Sequence, residues 1–135
     1  MTEREFAATD ESLEAVTAFV EEELDKADCP IKYAMLISVA IEEIFVNIAH
    51  YAYEGKQGDM TLGISNDGGV VTFVFTDSGV PFDPLAREDP DITLSAEDRK
   101  IGGLGIYMVK QTMDDVSYRY EDGKNILTLV KDISR

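Results

Sequence analysis

The chain predicts a two-layer α/β (α+β) sandwich, in which a mixed, mostly antiparallel sheet carries its helices on one face. Three observations lead there. Two pairs of short strand-like runs are each joined by a glycine-bearing spacer, the mark of a hairpin. A long and mostly apolar helical stretch, Ile31 to Tyr53, needs a surface to cover. The composition, 44% hydrophobic and 29% charged, is that of an ordinary globular domain. At 135 residues the expectation is one domain, 1–135.

The elements follow in order. Phe6 to Thr9 reads as a short first strand. Asp10 or Ser12 then caps a helix to about Lys26, with acidic residues near its start as the helix dipole prefers. Cys29-Pro30 breaks it. From Ile31 to Tyr53 apolar residues occupy most positions, which predicts a buried helix ended by Gly55 and Gly58. Met60 to Ser65 and Val70 to Thr76 flank Asn66-Asp67-Gly68-Gly69, a strong hairpin signal. Pro81 to Lys100 has no clear period, is highly charged and holds three of the four prolines. A loop of that length inside a domain usually has a task, such as that of a lid. Gly102-Gly103-Leu104-Gly105 then opens a helical pattern, Ile106 to Met113. Val116 to Tyr120 and Asn125 to Lys131 close the chain as a second hairpin across Glu121-Asp122-Gly123-Lys124.

Charge excludes several functions. With 27 acidic and 12 basic residues the formal net charge is -15, so the chain repels a nucleic-acid backbone and direct nucleic-acid binding is not expected. The acidity serves solubility or meets a basic protein partner. No apolar run reaches the roughly 20 residues of a membrane span, so no membrane role is expected. A single cysteine, Cys29, cannot form an internal disulfide, and a cytoplasmic setting is expected.

Three local patterns carry chemistry. At 100° per residue Glu43, Asn47, His50 and Glu54 fall in one arc of the apolar helix. Such a stripe faces water, a partner network or a ligand, because burying a carboxylate and an amide is costly without partners. On a ligand reading, Asn47 offers a carbonyl oxygen to a hard cation such as Mg²⁺, and Glu43 accepts a proton from an attacking hydroxyl. His50 alone reads better as a packing residue. In the strand before Ser78, Val71, Phe73, Phe75 and Asp77 share a face. Asp77 thus continues an inward line and suits an amino group on a flat ring, although Asp77-Ser78-Gly79 is also an ordinary turn. Gly79 lets backbone approach a ring closely. Gly102, Gly103 and Gly105 leave backbone N–H groups uncovered at a helix start, which suits phosphate or, equally, a hinge; Arg99 and Lys100 just upstream add positive charge. Walker and Rossmann patterns are both absent.

The order of the three patterns is more specific than any one of them. Glu42 to Tyr53, then Asp77-Ser78-Gly79-Val80-Pro81-Phe82-Asp83-Pro84, then Gly102 to Lys110 running on to Met113-Asp114 resemble the three boxes of the GHKL ATP-binding superfamily, whose fold is the Bergerat fold. The match looks closest to the stand-alone anti-sigma-factor serine/threonine kinases and covers roughly Ile31 to Lys131. The resemblance implies ATP and Mg²⁺ as cofactors. It further implies that Asn47 holds the Mg²⁺, that Asp77 binds the adenine amino group with Gly79 and Phe82 beside it, and that Lys100, Gly102, Gly103, Leu104 and Gly105 take the phosphates beneath a Pro84 to Gly102 lid. Glu43 becomes the general base. The partners implied are a small anti-anti-sigma protein (STAS type) as phosphate acceptor and a sigma factor, with homodimerisation as a family tendency. A sensor kinase's phosphorylatable histidine segment is missing, which argues against autokinase activity. An ATP-dependent switch without transfer, or an interaction domain without nucleotide, are the competing readings.

Overall fold

Period-two burial sets the sheet. The computed structural model describes residues 1–86 and 103–134. Strands β1 (Thr2–Ala7), β2 (Asp59–Asp67), β3 (Val70–Asp77), β4 (Asp115–Glu121) and β5 (Lys124–Asp132) form one sheet in the order β1-β2-β3-β5-β4. Every pairing is antiparallel, so the mixed element of the expected sheet is not seen among the described strands. Both expected hairpins form. Gly68 and Gly69, and Asp122 and Gly123, all adopt positive φ, the geometry of a two-residue turn whose twist matches the strands it joins.

Alternate residues of the strands point to one face: Met60, Leu62 and Ile64, then Val71, Phe73 and Phe75, then Leu127 and Leu129, all buried. Against them pack Val16, Phe19, Val20 and Leu24 of α1 (Leu13–Lys26), Ile37, Ile41, Ile44 and Phe45 of α2 (Ile31–Asn47), and Ile106 and Val109 of α3 (Gly103–Thr112). Each large side chain removed from water contributes about 1.5–3 kcal/mol, and together they make one continuous core. The opposite phase of β3, Thr72, Val74 and Thr76, is only half-buried, so the helices stack on the phenylalanine face.

Several expectations change in detail. The first strand starts at Thr2 rather than Phe6, because β2 is long enough to pair Thr2 with Ile64 and Ala7 with Asp59. Its charged side chains are tolerated because it is an edge strand. Asp10–Ser12 forms a 3-10 turn before α1, and Ser12 makes no side-chain cap bond. The stretch from Ile31 is not buried all round: Ile31 is 78% and Met35 65% exposed, since only one face of α2 meets the sheet. Nor is it one regular helix to Tyr53. After Asn47 the backbone widens into a single π-turn, Ile48–Ala52, which ends at Tyr53, ahead of Glu54 and Gly55 at positive φ. Pro84–Ala86 is a 3-10 turn, and the remainder of the expected lid, with Arg99, Lys100 and Gly102, lies outside the described residues. Among the described residues no helix is long and apolar enough to cross a membrane.

Candidate functional site

Strand alternation delivers Asp77 to the inward face at the end of β3, directly after Phe73 and Phe75, and only 6% of it is exposed. Its Oδ1 accepts hydrogen bonds from the Gly79 N–H at 2.9 Å and the Asn125 Nδ2 at 3.0 Å. Its second oxygen has no protein partner among the described residues. A buried carboxylate oxygen left without a donor is expensive, so the position asks for a ligand that donates one. Asp77 lines a cavity of about 420 Å³, its open mouth included, together with Asn47, Phe75, Phe82, Tyr118 and Asn125.

Asn47, the last residue of α2, reaches the same cavity. Its Nδ2 donates to the Glu43 backbone carbonyl at 2.8 Å, which leaves the side-chain carbonyl oxygen without a protein partner among the described residues. That oxygen is the hard donor a Mg²⁺ ion takes. Among the described residues no three of His, Cys, Asp and Glu cluster to hold a metal. Mg²⁺ at a phosphate site is commonly bound through one or two protein groups, with the substrate and water supplying the rest, so the residues present fit that ion.

The π-turn after Asn47 shapes the far wall. It presents the Ala52 carbonyl to the Val80 N–H at 2.7 Å, and a Cβ on Gly79 would lie 2.1 Å from that same oxygen. Glycine at 79 is therefore required by close backbone approach. It stands behind Asp77 rather than on the cavity wall. Tyr53 follows: its hydroxyl donates to the Asp59 carbonyl and accepts from the Ser78 N–H at 2.9 Å, tying the turn after β3 to the start of β2. Burial pushes the Tyr53 phenol above its ordinary value, so the donor proton stays in place at neutral pH. The same turn redirects His50 out of the expected arc, where it meets Asp10 at 2.8 Å. Glu54 is exposed at positive φ. Of the four-residue stripe only Glu43 and Asn47 remain near the site.

Glu43 lies in a neighbouring groove between α2 and α3, lined also by Val39, Gly105 and Met108, and does not line the Asp77 cavity. An added Cβ on Gly105 would fall 2.0 Å from the Glu43 Oε2. The carboxylate thus rests on the first turn of α3, which Gly103, Leu104 and Gly105 open. A negative group at a helix N-terminus is favoured by the helix dipole.

Two residues of the cavity were not anticipated. Asn125 is buried and stands opposite Asp77 in the β3–β5 register. The alternation Asn125, Leu127, Leu129 puts Asn125 on the inward face, as it does Asp77, but only the strand register shows that the two meet. Tyr118 of β4 donates its hydroxyl to the Asn125 Oδ1. Burial foremost keeps that phenol above its ordinary value and hence protonated. Phe82, an expected site residue, lines the cavity, has its N–H held by the Asn125 Oδ1 at 3.1 Å, and lies 6.2 Å ring to ring from Tyr51.

Comparison with known proteins gives the family and the fold. The family model for the histidine kinase-like ATPase domain matches residues 6–131. The chain is 27% identical over 96 residues to the serine-protein kinase RsbW of Listeria monocytogenes and 31% identical over 97 residues to that of Bacillus cereus. In both cases 67% of this chain is covered, against 61% and 59% of the relative, so the match spans about three fifths of those proteins. The solved structure of the RsbU and RsbW domains of Rv1364c from Mycobacterium tuberculosis shares the fold over the whole chain and 33% of its own length, with a TM-score of 0.65 at 18% identity. The histidine kinase AdeS of Acinetobacter baumannii does so over the whole chain and 70% of its own length, with a TM-score of 0.51 at 14% identity. The chain belongs to the histidine kinase-like ATPase domain family, whose character as an ATPase domain implies ATP binding, and is a GHKL protein of the kind that includes RsbW.

Proposed function

We propose that this protein is a serine/threonine kinase that binds Mg·ATP and phosphorylates a small anti-anti-sigma protein in the cytoplasm, holding a sigma factor in alternation. The observation that carries the reading is the buried Asp77, whose second oxygen lacks a protein donor among the described residues and which shares a cavity with Asn47. The adenine amino group supplies the missing donor. The Asn47 carbonyl oxygen would hold Mg²⁺, which when bound offsets the charge of the phosphates. Backbone N–H groups at the Gly103–Gly105 start of α3 serve as phosphate donors. Glu43, one turn before Asn47 and resting on that helix start, takes the proton as the partner's serine oxygen bonds to the γ-phosphorus and ADP leaves. The similarity to proteins named serine-protein kinases supports transfer over mere binding. The position of Glu43 outside the Asp77 cavity favours the alternative, an ATP-dependent switch with little transfer.

The test is retention of partners from the native cell with and without ATP, followed by mapping of phosphorylated serines. Glu43→Ala is expected to keep Mg·ATP binding and to slow transfer by about 10²-fold or more. Transfer at the parent's rate would remove Glu43 from the role of base. Partners retained by the parent in ATP without any phosphoserine would favour the switch.

A further inference from the structure

We infer that Asn125 is a positioning residue that sets the base selectivity of the site by fixing which way the Asp77 carboxylate points. The inference rests on the nucleotide reading and adds a residue to it.

Asn125 uses its whole hydrogen-bonding capacity. Its Nδ2 donates to the Asp77 Oδ1 at 3.0 Å and to the Val80 carbonyl at 2.8 Å; its Oδ1 accepts from the Phe82 N–H at 3.1 Å and from the Tyr118 hydroxyl. A side-chain amide offers two donors and about two acceptor positions, so none is left over. The orientation of the amide is forced. Val80 offers only a carbonyl and Phe82 only an N–H at these positions, so a flipped amide would oppose donor to donor and acceptor to acceptor. Asn125 is also only 6% exposed.

The consequence falls on Asp77. With Oδ1 pinned between Asn125 and the Gly79 N–H, the carboxylate cannot rotate, and its other oxygen stays an acceptor with no protein donor among the described residues. A fixed acceptor rewards a base edge that donates and repels one that presents a carbonyl. A carboxylate free to turn would discriminate far less, since it could swing away from the wrong edge. Asn125 thereby converts a buried acid into a reader of the amino group without touching the base.

The experiment compares Mg·ATP with Mg·ITP, whose base carries a carbonyl oxygen where adenine carries its amino group, by calorimetric titration. The parent is expected to prefer ATP by at least about tenfold. In Asn125→Ala, ATP affinity falls about tenfold while ITP changes by less than about threefold, so the preference collapses. Equal weakening of both nucleotides, with the ratio kept, would make Asn125 merely structural and overturn the inference. Should Asn125→Ala not fold, Tyr118→Phe loosens the same amide and must lower the ratio about two- to threefold; an unchanged ratio there overturns the inference equally. A parent that binds neither nucleotide would instead overturn the nucleotide reading, and this inference with it.

Discussion

Two glycines illustrate how much a single missing methyl can decide. An alanine Cβ at 79 would sit 2.1 Å from the Ala52 backbone oxygen, which cannot step aside without moving the π-turn. An alanine Cβ at 105 would sit 2.0 Å from the Glu43 Oε2, the far end of a flexible side chain that can swing away. The two substitutions should therefore separate stability from chemistry. Gly79→Ala is expected to destabilise the fold by about 1–3 kcal/mol, read as a lowered Tm. Gly105→Ala is expected to leave Tm nearly unchanged and to slow phosphoryl transfer by about 10²-fold, because it displaces the carboxylate from the helix start. A Gly105→Ala protein with the parent's transfer rate would mean that the placement of Glu43 is immaterial. Residue patterns made much of this visible in the sequence. The alternation through Phe73 and Phe75 led to Asp77, and the same alternation ends on Asn125, which draws notice only once the strand register sets it beside Asp77. A hydrogen-bonding hub built from three separate segments has no local signature.

At the scale of elements, the π-turn Ile48–Ala52 is the feature that sequence periodicity could not supply. A 100° count assumes regular helix to Tyr53, and on that count His50 joins Glu43 and Asn47; one widened turn sends it to Asp10 instead. The turn also fixes where Tyr53 lands, bridging Ser78 and Asp59. Removing its hydroxyl with Tyr53→Phe is expected to lower stability by about 1 kcal/mol and to weaken nucleotide binding by loosening the Asp77–Gly79 turn. The pH dependence has a definite sign. Burial raises the folded-state pKa of Tyr53, so the folded chain holds that proton more tightly than the unfolded chain. Its contribution is complete below the unfolded value of about 10 and is lost as pH climbs through the raised folded value. Tyr118 shifts the same way, so Tyr53→Phe should reduce the alkaline loss of Tm without abolishing it. An alkaline melting profile identical to the parent's would contradict the burial of Tyr53. The hairpins, by contrast, were legible outright, because Asp67-Gly68-Gly69-Val70 and Glu121-Asp122-Gly123-Lys124 carry the positive-φ residues that such turns require.

For the molecule as a whole, the sheet and its helices form one core, and the cavity opens where α2 ends against β3 and β5. Fold class was readable from hairpin spacers and apolar periodicity, since both report backbone geometry. The exposed apolar face of α2 was not, because composition cannot say how many faces of a helix meet a partner. A formal net charge of -15 opposes any polyphosphate, so binding a triphosphate requires a cation to offset the field. That requirement, together with the oxygens of Asp77 and Asn47 that have no protein partner among the described residues, makes nucleotide binding directly measurable. The measurement is a titration with a fluorescent ATP analogue, with and without Mg²⁺, on the parent chain and on Asp77→Asn. The account predicts saturable binding in roughly the micromolar range that depends on Mg²⁺ and weakens at least about tenfold in Asp77→Asn. A flat response of the parent in Mg²⁺, or equal affinity in the two proteins, would contradict it.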